Sequence, residues 1–326
     1  MQDTLIMPTG ELAPLTFSNA VGAQPRANVT RHSRLAVRRI LLPFDLSRTS
    51  VCALRAVAQV AEKTGASIHL LHVVRPGEGN VAWRIEPKAN RADDTLAEES
   101  ERILKHWVKR VVQGRVQTFV SIRIGDPVDV IVACAVATRA QLIVTTSRSC
   151  SALKNELRRS TAERISRLAP CPVLTIPEKC AEGLAYSLEG FVAGNWRTVL
   201  IPIDFSSAAE VALTIAAEIS QAKGAKLLLA HGSESDDLAE NERRLKRWAE
   251  ANLSQPVPFE TALWVGGHSL YAILSEALRT EANLIILPTQ VDSWARMRAG
   301  SITDGVLRQA RCPVLSINEN VPLIEN

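Results

Sequence analysis

The chain is expected to be an α/β protein built from two doubly wound, mainly parallel five-stranded sheet domains. Three repeats lead there. Leu41-Leu42-Pro43-Phe44-Asp45 returns as Leu200-Ile201-Pro202-Ile203-Asp204. Cys171-Pro172-Val173-Leu174 returns as Cys312-Pro313-Val314-Leu315, and Leu104-Lys105-His106-Trp107 returns as Leu245-Lys246-Arg247-Trp248. A repeat of this length is a duplicated domain, since solenoid units run to only about 20–50 residues. Within each copy, short apolar runs alternate with segments of helical period. Strand–helix–strand units with both sheet faces covered have that pattern.

Residues 1–36 mix Pro, Gly, Thr, Asn and Arg without a sustained period and read as a flexible N-terminal arm. Domain 1 is expected over 37–178. Arg38 to Leu42 opens a buried strand, and Ser47 to Ser50 can cap the helix that follows. That helix carries Ala53, Val57, Val60 and Ala61 on one face and stops at Gly65. Ile68 to Val74 is the second strand. Leu96, Ile103, Leu104, Trp107 and Val111 mark a long amphipathic helix. Val116 to Ile124 reads as a strand, with Val116, Val120, Ile122 and Ile124 on one face. Gly125-Asp126-Pro127 turns into a helix near Val128–Thr138. Leu142 to Val144 is a strand, Ser160–Leu168 a helix, and Val173 to Ile176 the last strand. Residues 179–195 form the connector, 196–318 repeat the series, and 319–326 are a tail.

The two copies differ in one place by length. Copy one carries 18 more residues between His72 and Trp107 than copy two carries between His231 and Trp248. The extra stretch includes Pro76-Gly77-Glu78-Gly79-Asn80 and Trp83 and reads as a long loop.

Composition excludes several classes of function. Apolar residues make up 46% and charged residues 22%, ordinary values for a globular protein, and the net charge of +4 gives no basis for a nucleic-acid partner. No apolar run reaches the roughly 20 residues needed to cross a bilayer. The N-terminus lacks a basic segment followed by a continuous apolar one, so no secretory signal is read there. Cys52, Cys134, Cys150, Cys171, Cys180 and Cys312 form no CxxC pair, and no His stands at metal-finger spacing from them. They are expected to be reduced and mostly buried, in a cytoplasmic protein without a metal.

The order of motifs is Pro-x-Asp after the first strand, a Leu-x-His-Val-Val strand, Gly-Asp-Pro, Leu-Ile-Val, Ser-x-Ala-Glu-Arg and Cys-Pro-Val-Leu. It resembles the universal stress protein family over about residues 37–178 and 196–318, with fewer motifs kept in the second copy. The resemblance implies a tandem universal stress protein. In single-domain relatives the last strands commonly pair. Here that implies an internal pseudo-dimer through Pro172–Ile176 and Pro313–Ile317, which would cover two exposed sheet edges. A dimer of two such chains is a further option.

Nucleotide-binding members of the family carry G-x2-G-x9-G-[ST] after the fourth strand. Glycines there let the backbone approach a polyphosphate at a helix N-terminus. In copy one the matching positions are Thr146, Ser149 and Arg159, followed by Ser160, so all three glycines are gone. Copy two has Pro288 and Val291 at the first two positions, retains Gly300-Ser301, and its loop is one residue shorter. Proline lacks an N–H, and a β-branched side chain restricts the loop.

The candidate ligand-binding residues are therefore Asp45, Ser160, Asp204, Gly300 and Ser301. Asp45 and Asp204 end the first strand of each copy, where open α/β sheets place ligands. In relatives this acid faces a nucleotide, but an Asp here also caps or orders the next helix. Ser160 and Ser301 would hold phosphate in the family and serve equally as helix caps. Arg158 and Arg159 read as a solvated basic turn, and both could hold an anion by charge where glycine once offered backbone. His72 and His231 read as hydrogen-bonded structural histidines, Cys171 and Cys312 as buried thiols, and Trp107 and Trp248 as core. The run Ser147–Ser151 lacks a G-x-S-x-G elbow and a paired base, so no catalytic residue is named. The expectation is a non-enzymatic stress-response binding or regulatory module with degenerate nucleotide loops, no required cofactor, and an unknown protein or small molecule as ligand. The alternative is an ATP-binding stress protein with weak ATPase activity.

Overall fold

The structure, a computed structural model, describes residues 37–75, 93–147, 161–177, 197–267, 269–289 and 302–321. The expected arm, the extra loop of copy one and nearly all of the connector and tail lie outside them. The elements of copy one are β1 (Arg39–Pro43), α1 (Arg48–Thr64), β2 (Ser67–Val74), α2 (Asp93–Val111), β3 (Thr118–Ile124), α3 (Pro127–Ala137), β4 (Leu142–Ser147), α4 (Thr161–Leu168) and β5 (Val173–Pro177). Those of copy two are β6 (Thr198–Pro202), α5 (Ser207–Lys223), β7 (Lys226–Ser233), α6 (Leu238–Asn252), β8 (Phe259–Val265), α7 (Leu270–Arg279), β9 (Leu284–Thr289), α8 (Ile302–Gln309) and β10 (Val314–Asn318).

Local chemistry sets the helix ends. Ser47 keeps extended backbone and its hydroxyl accepts from the Ser50 N–H; Ser206 does the same for Ala209. Each cap satisfies one of the orphan donors of a first helical turn. Gly65 and Gly224 end α1 and α5 at φ 70° and φ 68°, a left-handed conformation that costs glycine nothing. Asp126 accepts from the N–H groups of Val128 and Asp129, with Pro127 at the first helical position, so Gly-Asp-Pro is a helix start.

The strands run in the order β3-β2-β1-β4-β5-β10-β9-β6-β7-β8. Within each half every pairing is parallel, and β5 and β10 join antiparallel. The two five-stranded halves are thus one ten-stranded sheet, joined by the last strands. Leu174 pairs with Leu315, its own counterpart in the repeat, flanked by Thr175 with Val314 and Val173 with Ser316. A pseudo-twofold axis therefore passes between Leu174 and Leu315.

One core cluster runs unbroken along one face from Ile40 to Val321 and includes Leu174, Ile176, Leu315 and Ile317 at the seam. The other face holds two clusters, one per half, and Ala162 of α4 packs in the cluster of copy two. Burial of this Val, Leu, Ile and Ala surface at about 25 cal/mol per Å² is the main stabilising contribution. Polar links cross the seam as well. Asn318, fully buried, donates from Nδ2 to the carbonyls of Ser166 (3.0 Å), Arg167 (3.3 Å) and Ala169 (2.9 Å). Thr289 donates to the Ser166 carbonyl at 3.2 Å. Copy two thereby caps the C-terminus of α4 in copy one. Among the described residues there is no reverse cap, because Pro177 and Ser147 stand at the equivalent positions. Proline has no side-chain donor, and the buried Ser147 hydroxyl has no hydrogen-bond partner among the described residues.

Copy one also holds a polar trio, two buried members and a half-buried serine, that copy two replaces with Leu228, Ala262 and Glu276. His69 Nε2 lies 2.8 Å from Ser121 Oγ and 3.9 Å from Cys134 Sγ. Burial, aided by the Arg123 charge, lowers the His69 pKa from 6.5 to about 4. The imidazole is then neutral in the folded chain and protonates first in the unfolded one. Its contribution is complete above pH 6.5 and is lost as pH falls toward 4, by about 3 kcal/mol. Urea unfolding at pH 7 and pH 4.5 should show a steeper loss for the wild-type chain than for His69→Leu. Equal losses would contradict the assignment.

Candidate functional site

Asp45 and Asp204 follow β1 and β6, the strands at which the order of each half reverses, a position that open α/β sheets use for ligands. Both are engaged by their own turns. Asp45 Oδ1 accepts from the Ser47 N–H at 3.1 Å and the Ser50 hydroxyl at 2.5 Å. Asp204 Oδ1 accepts from the Ser206 N–H at 3.1 Å and the Ser206 hydroxyl at 2.5 Å. The residue after each acid sits at positive φ: Leu46 at 62° and Phe205 at 60°. Non-glycine residues in this region carry strain, which here is held by the acid–serine hydrogen bonds and by side-chain packing. No sequence signal marks it, since neither residue is Gly, Asn or Asp.

The histidines of the second strands close the same turns from beneath. His72 Nδ1 donates to the Phe44 carbonyl at 2.7 Å and His231 Nδ1 to the Ile203 carbonyl at 2.8 Å. Burial lowers the His72 pKa, with the Phe44 carbonyl and the Asp45 charge acting in the opposite direction. These histidines order the strand ends, as their positions in the sequence suggest.

At the fourth strands the sequence alignment of the loop shifts. Thr146 lies within β4, in register with Ile176, and Pro288 lies within β9, in register with Ile317. The first position of the glycine pattern is therefore part of the sheet in both copies. Ser160, Gly300 and Ser301 lie outside the described residues, as do Ser149, Val291, Arg158 and Arg159.

Copy two adds a contact absent from copy one. The Trp264 indole N–H donates to the Gly267 carbonyl at 2.7 Å, and the N–H groups of Gly266 and Gly267 both donate to the Ser233 carbonyl, at 2.8 and 3.0 Å. This loop lies directly against Gly232, where a Cβ would collide with the Gly267 carbonyl and the Trp264 ring nitrogen. The backbone of β7 can be approached this closely only because position 232 is glycine. Copy one has Val73 there, and only Gly125 N–H reaches the Val74 carbonyl, at 3.0 Å.

Among the described residues, no group of three His, Cys, Asp or Glu side chains is placed to hold a metal ion. Burial pushes the Cys134 thiol to about 11 and the Cys171 thiol to about 12, so both stay protonated near neutral pH and are poor nucleophiles. No described helix is long and apolar enough to cross a membrane.

Duplicated parallel half-sheets, acid-ended first strands and antiparallel last strands at a pseudo-twofold seam define a tandem α/β protein. The chain belongs to the universal stress protein family, whose model matches residues 36–177 and again 195–318. It is 35% identical over 135 residues to the universal stress protein in the QAH/OAS sulfhydrylase 3′ region of Thermus aquaticus, which covers 37% of this chain and 98% of that protein. It is 27% identical over 156 residues to universal stress protein MJ0531 of Methanocaldococcus jannaschii, covering 46% of this chain and 87% of that one. Along most of its length it is similar in structure to a universal stress protein from Archaeoglobus fulgidus. The TM-score is 0.63 at 22% identity, with 86% of this chain and 98% of that chain covered.

Proposed function

We propose that the chain is a non-enzymatic stress-response module that binds a ligand or partner at its strand edges and does not use ATP. The observation that carries this reading is the engagement of both acids: one oxygen of each carboxylate orders its own β–α turn. Pro288 in β9 adds to it, since a residue without an N–H cannot offer one to a phosphate. The replacement of all three glycines in copy one removes the backbone access that a polyphosphate needs. The Trp264–Gly267 contact further fills the edge of copy two.

Native mass spectrometry of the full chain, purified without denaturant and then mixed with ATP and Mg²⁺, tests the reading. The expected spectrum shows no nucleoside triphosphate increment at near-stoichiometric ATP. An increment that saturates at one or two nucleotides per chain would replace it with the ATP-binding alternative.

A further inference from the structure

We propose that the seam between the halves binds an ordered water molecule on the pseudo-twofold axis, bridging the Thr175 and Ser316 hydroxyls. Thr175 stands at the position of Ser316 in the repeat, just as Leu174 stands at that of Leu315. Leu174 and Leu315 pair at the axis and pack in the core cluster shared by both halves. Side chains alternate along a strand, so Thr175 and Ser316 point to the other face. Their neighbours Val173 and Val314 agree, since each lies in the separate cluster of its own half.

Both hydroxyls are deeply buried. Thr175 is 0% exposed and Ser316 1%, and neither hydroxyl has a hydrogen-bond partner among the described residues. Helix α4 packs over β5 and β10, and α8 packs over β5. Two buried hydroxyls left unsatisfied cost stability, and nearly all such groups in folded proteins bond to protein or to ordered water.

The register brings the pair within reach of one water. Thr175 lies opposite Val314 and Ser316 opposite Val173, so Thr175 and Ser316 are diagonal neighbours across the antiparallel pair. Diagonal side chains on one face stand roughly 7–8 Å apart. Two hydrogen bonds of about 2.8 Å, with a C–O bond at each end, span that gap. A water can donate to one hydroxyl and accept from the other, and each hydroxyl proton rotates to suit. Thr145, buried and in register with Thr175, adds a third hydroxyl-bearing side chain to the same face. Ser147 is the other buried hydroxyl without a partner among the described residues, but it stands beside Pro177 and has no hydroxyl mate across the seam.

The bridge differs from the Asn318 cap in being symmetric, with one hydroxyl from each half. One face of the seam is then dry, closed by Leu174, Ile176, Leu315 and Ile317, and the other is wetted at a single point.

A crystal structure of the full chain that shows ordered solvent, joined to a double-mutant cycle on Thr175→Val and Ser316→Ala, tests the bridge. One water should lie within hydrogen-bond distance of both oxygens. Each single substitution should lower the folding equilibrium constant about fivefold, because it releases the water and strands the other hydroxyl. The double variant should recover most of that loss, since neither hydroxyl then remains to be satisfied. A direct bond between the two hydroxyls, or no water within reach of both, would overturn the proposal. Additive changes in the cycle would overturn it too, because two hydroxyls that share no partner act independently. So would single variants as stable as the wild-type chain.

Discussion

Asn318→Ala is expected to destabilise the chain by about 2–4 kcal/mol, because it leaves buried carbonyls of α4 without a donor. Three carbonyls share this one amide, and no other described side chain except Thr289 reaches them. The loss should appear as a lower urea midpoint for the whole chain. The continuous core cluster makes the halves unfold together. Separate transitions for the two halves in the wild-type chain, or a wild-type midpoint in Asn318→Ala, would contradict the assignment. The asymmetry gives a control. Ser147→Ala removes a hydroxyl that has no partner among the described residues, so it should change stability by less than about 1 kcal/mol.

Gly232→Val should cost about 3 kcal/mol and open the Gly266-Gly267 turn. A side chain at 232 would occupy the space of the Gly267 carbonyl, which is backbone and cannot rotate away. The cost combines overpacking with loss of the Trp264 indole hydrogen bond. Valine is the residue of copy one at this position, so strand propensity is not the cause. Amide exchange at Gly266 and Gly267 should speed up in the variant, because their N–H groups would lose the Ser233 carbonyl. Protection equal to wild type would show that the turn is held by something else.

Much of the fold was legible because it depends on local chemistry. Val, Leu and Ile runs marked the strands and Ser47 and Gly65 the ends of α1, whereas the pairing of the last strands was implied only by the resemblance to the family, and its register about Leu174 and Leu315 only by the structure. Contacts between distant positions were not legible. Nothing in the sequence around Asn318 points to α4, about 150 residues earlier, and the cap appears only once β5 and β10 are adjacent. The β3 strand begins at Thr118, not at Val116, and Ile124 at its end is exposed. Apolar periodicity alone does not locate such ends.

The site was legible only in outline. Pro-x-Asp marks the strand edge in both copies, but whether the acid faces a ligand or its own turn depends on serines two and five residues later. Leu46 and Phe205 at positive φ carry no signature of that conformation. The Arg244 guanidinium lies over the Phe205 ring, 4.3 Å from its centroid, a contact missed because an arginine on a helix reads as solvated unless its neighbour in space is known. The G-x2-G-x9-G spacing placed Thr146 and Pro288 in a loop, whereas pairing with Ile176 and Ile317 keeps them in the sheet.

Replacement of glycine along the phosphate path is expected to keep ATP from both strand edges. Equilibrium dialysis with labelled ATP and Mg²⁺, comparing the wild-type chain with Thr146→Gly/Ser149→Gly/Arg159→Gly, tests it most directly. The account predicts no stoichiometric micromolar binding by the wild-type chain and a gain of one site in the glycine-restored chain. Stoichiometric micromolar binding by the wild-type chain, abolished by Ser160→Ala or Ser301→Ala, would contradict it.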